Sequence, residues 1–183
     1  MAATRAILKE HELADLTPTR IAFAAGCSRA AFYQYFEDVQ HVLLELADEA
    51  SRPFTQLAAD LGTASAGGEN DMEWATRLVE GFISAWRQDS RILLYRNLES
   101  DRGDQRFLSL RVQTLLPLTQ RLVEQLLARR PQLPPDEAFI EAGMIIAMCG
   151  QIAIQQLNPG NRLTDLPSRS LIHVIARMLS GRS

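Results

Sequence analysis

The sequence predicts an all-α chain of about nine helices, and three observations carry that prediction. Apolar residues recur at three- and four-residue spacing along most of the chain. Alternating β-branched runs are absent, and prolines and glycines fall between the periodic segments. No internal repeat of fixed period stands out. The pattern places helices at 3–12, 18–24, 28–35, 38–61, 71–88, 90–99, 103–130, 136–157 and 168–180, the first three short and most of the others long.

Each element has its own warrant. The first, in RAILKEHELAD, is charged and amphipathic, unlike a secretory signal. The second starts at TPTRIA, where Thr17 suits an N-cap and Pro18 the first helical position. Gly26 interrupts, and Ser28 can cap the third. Asp38 can cap the fourth, and GTASAGGEN (62–70) is a loop by composition. RRPQLPP (129–135) stops the seventh, Asp136 can cap the eighth, and NPGNRLTDLP (158–167) is a second long connection.

Composition sets the class. The 183 residues, 46% apolar, suit one large domain, or a small one with a larger one, and supply ample core. Without 18 consecutive apolar residues no transmembrane helix is expected. Cys27 and Cys149 lie far apart, which points to reduced thiols and a cytoplasmic protein. The net charge of −3 argues against a protein that is basic overall and binds nucleic acid non-specifically. Eighteen of the nineteen basic residues are arginines, Lys9 being the exception, a compositional bias rather than a functional signal.

The stretch IAFAAGCSRAAFYQYFED carries the most information. Two helices of about seven residues meet at a glycine that tolerates a left-handed backbone. Phe32 and Phe36, four apart, share a face that can pack against Ile21 and Ala22. That is a helix-turn-helix pattern, in which the second helix offers its N-terminal end to the major groove. The spacing alone equally fits a helical hairpin with buried aromatics.

The unbroken run TPTRIAFAAGCSRAAFYQYF resembles the TetR family of bacterial transcriptional regulators. Thr17, Ile21, Ala22, Ala25, Gly26, Ser28, Phe32, Tyr33, Tyr35 and Phe36 fall on the family pattern, and detailed similarity covers about residues 5–50. The resemblance implies a three-helix DNA-binding head over 1–48 and a helical ligand-binding and dimerisation domain over 49–183. It implies a ligand-responsive repressor acting as a homodimer on a palindromic operator. Thr17, Thr19, Ser28, Arg29, Ala30, Ala31, Tyr33, Gln34 and Tyr35 form the expected DNA-binding set, with Thr17 and Tyr33 on phosphates. Arg29 has the chemistry to read guanine and Gln34 adenine, while Ala30 and Ala31 offer methyl contact. The chain departs from the pattern at Val39, where a phosphate-anchoring Lys is frequent, and at Glu12, where Gly is usual. The basic N-terminal extension common in the family does not precede the first helix.

Charge bears on this expectation. Residues 1–50 hold four bases (Arg5, Lys9, Arg20, Arg29) and eight acids (Glu10, Glu12, Asp15, Glu37, Asp38, Glu45, Asp48, Glu49), a net of −4. Phosphate neutralisation drives much of DNA affinity. Weak, salt-sensitive binding follows, or a need for two dimers on one site.

Segment 136–157 is apolar nearly all round, so several of its sides must be covered; Glu141 and Gln151 speak against a membrane span. Segment 168–180 is also broadly apolar. Together they suit a four-helix interface with a second copy, or else the core of a monomer. Gly143, Ala147, Gly150, Ile154, Leu171, Val174, Ile175 and Met178 are the expected dimer residues. A lipophilic effector of unspecified identity is expected among Trp74, Phe82, Trp86, Tyr95, Phe107, Leu115, Met144, Met148 and Gln151, shifting the spacing of the two heads. Ordinary core packing is the better account of any one of these residues taken singly.

Other signals lead nowhere. Cys27 reads as a buried packing residue. His11, His41 and His173 are scattered without metal-ligand spacing, and His41 reads as solvated. There is no phosphate loop or nucleophile elbow, so neither a cofactor nor an enzyme is expected. The competing class is a helical ligand- or protein-binding module with weakened or lost DNA binding.

Overall fold

The computed structural model describes residues 1–10, 13–63, 70–156 and 168–181. Among the described residues are nine α-helices, one short 3-10 turn (Leu13–Asp15) and no strand. The helices are α1 (Ala2–Glu10), α2 (Pro18–Ala24), α3 (Arg29–Tyr35), α4 (Val39–Thr63), α5 (Asp71–Gln88), α6 (Ser90–Asp101), α7 (Gln105–Arg129), α8 (Pro135–Gln155) and α9 (Ser168–Ser180). Expected and observed boundaries of 18–24, 71–88 and 168–180 coincide. The first helix is seen to Glu10, the expected 11–12 lying outside the described residues, and α8 ends two residues early. α7 starts at Gln105 rather than 103 because Gly103 has a positive φ of 95° and Asp104 caps the Arg106 N–H at 2.9 Å. The loop expected at 62–70 and the connection at 158–167 lie largely or wholly outside the described residues, as do His11 and Glu12. Prolines are not confined to the connections: Pro53 lies inside α4 and Pro117 inside α7, each removing one helical N–H donor.

The chain divides into two compact units, Met1–Glu49 and Ala50–Ser183, and α4 begins in the first and ends in the second. In the first unit α2 packs on α1 and α3. Ile21, Ala22, Phe32, Val42, Leu43 and Leu46 are buried there, and Arg5 pairs with Glu49 at 3.1 Å. In the second, α5 packs on α8 and α9, and α7 packs on α6, α8 and α9. Trp74, Leu78, Phe82, Phe107, Leu118, Leu122 and Ile145 lie in its core. Gly81 lets α5 approach α4 closely: a Cβ there would lie 2.5 Å from Leu57 Cδ1.

Candidate functional sites

The turn between α2 and α3 is built by its own residues. Thr17 Oγ1 accepts from the Arg20 N–H (3.2 Å), and Pro18 opens α2. α2 ends in a Schellman motif: the Cys27 N–H donates to the Ala22 carbonyl (2.9 Å) and the Gly26 N–H to that of Phe23 (3.1 Å). Gly26 sits at φ 67°, the left-handed conformation that motif requires. Ser28 Oγ then accepts from the Ala31 N–H at 3.1 Å and starts α3. Each capping hydroxyl accepts one backbone hydrogen and retains its own O–H as a donor.

α3 buries Phe32 and exposes the rest of its surface. Phe32 meets Tyr33 edge-on at 5.3 Å and lies 5.5 Å from Phe36. Thr17, Thr19, Ser28, Arg29, Ala30, Tyr33, Gln34 and Tyr35 are all exposed, Tyr35 by 76%, and Ala31 is half-buried. Arg29 is held over Tyr33, its Cζ 5.7 Å from the ring centroid and an Nη2–H 3.4 Å from the hydroxyl. Eight of the nine expected residues are therefore exposed, and one guanidinium among them is oriented by its neighbour.

Three features differ from expectation. Cys27 is exposed, because as the second residue after the α2 cap it lies beyond the packed face. Phe23, unremarked in the sequence, is 86% exposed: one residue past the buried Ile21–Ala22 pair, it is rotated off the core face. His41 is not simply solvated. Its Nδ1 accepts from the Glu37 N–H (3.3 Å), its ring meets Phe36 edge-on, and its own N–H is capped by Asp38 Oδ1 (2.7 Å). Asp38 thus starts α4 as expected.

In the second unit the expected effector residues fall into three environments. Trp74, Phe82, Trp86 and Phe107 are buried. Phe82 stacks on Trp86 with centroids 6.5 Å apart, and Phe54 meets Phe82 edge-on at 5.1 Å. Tyr95 is half-buried and packs edge-on against Phe107 at 5.6 Å. Leu115 and Met148 are half-buried, while Met144 and Gln151 are exposed on the outer side of α8. A single lining is not formed, because Met144 and Gln151 point away from the aromatics. The Nε1–H groups of both Trp74 and Trp86 are buried without an acceptor among the described residues. Leaving a polar group buried and unpaired costs about 1–3 kcal/mol.

α6 brings a polar group into the same unit that sequence reading missed. Arg96 is 1% exposed, and burial, with Arg111 as a second cause, pushes its guanidinium down to about 10. Its Nη1 donates to Ser51 Oγ at 2.9 Å, and Nε and Nη2 donate to Asn97 Oδ1 at 3.3 and 3.2 Å. Ser100 Oγ is buried without a partner. The available signal was an arginine one turn beyond the apolar pair Ile92–Leu93.

α8 buries one face and leaves another open. Ala138, Ala142, Ile145, Ile146, Cys149 and Ala153 are buried, while Phe139, Ile140 and Met144 are 52%, 62% and 55% exposed. Burial pushes the Cys149 thiol up to about 12. Of the expected dimer residues, Gly143 and Ala147 are exposed, and Gly150, Ile154, Val174 and Met178 half-buried. Leu171 and Ile175 point into the chain's own core. Among the described residues, nothing outside the backbone of α8 itself approaches within 4 Å of a Cβ placed at Gly143 or Gly150. An open cleft of about 520 Å³ beside this face is lined by Arg130, Glu141, Met144, Val174, Arg177, Met178 and Gly181. Contrary to the expectation from apolar runs, α8 has the length and apolar composition to cross a membrane. Yet Glu141 pairs with Arg130 through both carboxylate oxygens (2.6 and 3.0 Å), and Arg130 also donates to the Met178 carbonyl (3.1 Å). That pair raises the Arg130 pKa and ties α8 to α7 and α9.

Among the described residues no group of three or more His, Cys, Asp or Glu could hold a metal ion.

The family model described as tetracyclin repressor-like, C-terminal domain, matches residues 57–164, more than half of the chain and outside the head motif. No curated protein matches the sequence. The fold is similar to that of the fatty acid degradation regulator FadR from Bacillus halodurans (TM-score 0.67, 17% identity, covering 97% of this chain and 90% of that one). It is also similar to FadR of Thermus thermophilus, a TetR family transcriptional repressor in complex with lauroyl-CoA (0.64, 20%, 97% and 90%). A third similar structure is the transcriptional regulator FadR of Bacillus subtilis in complex with stearoyl-CoA (0.65, 15%, 100% and 97%).

Proposed function

The chain belongs to the tetracyclin repressor-like (TetR) family of transcriptional regulators, and from that premise we propose a ligand-responsive repressor that binds a palindromic operator as a homodimer. The observation that carries this reading is the outer face of α3: a capped, glycine-turned helix, anchored by Phe32, presents Arg29, Ala30, Tyr33, Gln34 and Tyr35 to solvent. Such a helix fits the major groove, with Arg29 on guanine and Gln34 on adenine. Thr17, Thr19, Ser28 and Tyr33 supply hydroxyls for phosphates. Residues 1–48 act as the head and 49–183 as the effector and dimerisation region. The exposed apolar face of α8, with the outer sides of Val174 and Met178 on α9, is the dimer surface. The effector is lipophilic and lies by the Phe54–Phe82–Trp86 cluster, where the unpaired indole N–H of Trp86 could donate to it. Long-chain acyl thioesters are the first class to try, since two similar structures hold lauroyl-CoA and stearoyl-CoA. The protein works in the cytoplasm.

One observation favours a second reading, in which the protein binds ligand or partner without DNA: the net charge of −4 over residues 1–50, with Val39 in place of a basic anchor. Fluorescence anisotropy with a labelled fragment of the promoter beside its own gene separates the two. Repressor function predicts a shift at low salt that weakens as salt rises and reverses with effector. The absence of any shift at low salt would favour the second reading.

A further inference from the structure

Arg96 carries a charge that no described residue in its surroundings balances. Buried charges are ordinarily paired, because desolvation without a counter-ion is costly. Among the described residues no carboxylate pairs with Arg96. Glu99 on the same helix serves Arg102 (2.7 Å), and Asp101 serves Arg111 (2.7 Å). A guanidinium has five N–H donors; three are engaged by Ser51 and Asn97, which leaves two. Ser100, one turn on along the same face of α6, has a buried hydroxyl without a partner. Ile92 and Leu93, one turn back, are buried and apolar. One uncompensated positive charge, two spare donors, an idle hydroxyl and an apolar flank describe the receiver of one carboxylate on a lipophilic body. A phosphate dianion would leave a buried net negative charge.

We propose that Arg96 and Ser100 form the head-group site for an effector carrying a single carboxylate on an alkyl chain. This rests on the ligand-responsive reading and sharpens it, since a free acid is taken in place of a thioester. Ser51 lies on α4, so a carboxylate drawing Arg96 from Ser51 would alter how α6 is held to that helix.

Titration calorimetry on the full chain with laurate, dodecanol and lauroyl-CoA tests it. The wild type is expected to bind laurate at least about tenfold more tightly than dodecanol, the size of a charged hydrogen bond. R96Q should abolish that difference. S100A, which removes a hydroxyl with no bond to lose, should weaken laurate several-fold at an unchanged melting temperature and leave dodecanol unchanged. Should R96Q not fold, S100A decides. Equal affinity for laurate and dodecanol in the wild type, or a laurate preference undiminished in S100A, overturns the carboxylate site but leaves effector binding intact. Lauroyl-CoA binding more tightly than laurate and indifferent to both substitutions does the same. Failure of all three compounds to bind overturns the site and the alkyl-effector reading together.

Discussion

The α2–α3 turn and helix α8 solve opposite problems. Around the turn every backbone group in question is served by a neighbour within five residues: Thr17 and Ser28 cap, Gly26 takes the left-handed conformation, and two backbone bonds close the Schellman motif. In α8 almost any face could be buried, and the chain's own core takes the face of Ala138, Ala142, Ile145, Cys149 and Ala153. Phe139, Ile140 and Met144 remain outside. A short polar turn is specified by chemistry at its own residues; an all-round apolar helix is specified only by what packs against it. The first presents polar groups and one cation, suited to an anionic partner. The second presents area, suited to a second copy of itself.

The largest expected effect breaks the α8 side. Ile140→Glu with Met144→Glu places charges on residues exposed in the single chain, so the helical circular dichroism should stay. The mass by light scattering should fall from twice 20.4 kDa to that of one chain, and operator binding should go with it. An unchanged mass would place the partner surface elsewhere.

Arg29→Ala comes next and acts on the turn side alone. Losing a base-reading guanidinium costs about 1–3 kcal/mol of discrimination, so anisotropy should show roughly tenfold weaker operator binding with unaltered thermal unfolding. Unaltered binding would remove Arg29 from the interface.

Gly26→Ala is smaller and is read in stability. Its Cβ meets nothing within 4 Å, so backbone strain at positive φ is the whole cost, about 1–2 kcal/mol in chemical denaturation. Ser28→Ala should cost about 1 kcal/mol by removing a cap. Ser28→Asp should restore that stability while weakening DNA binding, because it puts a negative charge on the proposed phosphate side. If Asp restored both, Ser28 would be a cap only.

Much of the fold could be read before any coordinates. Three helix ranges coincide, because Pro18 and the loops around α5 and α9 punctuate the chain locally. The end of α8 was misread because apolar periodicity runs on past the last helical residue. The exposed face of α3 was legible too, since a short helix with two phenylalanines four apart has one apolar side. Cys27 and His41 were misread for a common reason: their surroundings depend on where the chain turns, not on residue type. The effector set was the least legible. Trp74, Phe82 and Trp86 sit on α5 as the pattern implies, but no spacing reveals that Phe54 of α4 joins them or that Met144 faces outward.

From the sequence alone came the all-helical class, the turn at Gly26 and the polarity of α3, because each rests on interactions within about five residues. Tertiary structure decided which face of α8 is left uncovered, that Leu171 and Ile175 belong to the chain's own core, and that Arg96 is buried without a carboxylate. Those outcomes depend on which helices compete for the same apolar surface, and that competition is settled only when all of them pack at once.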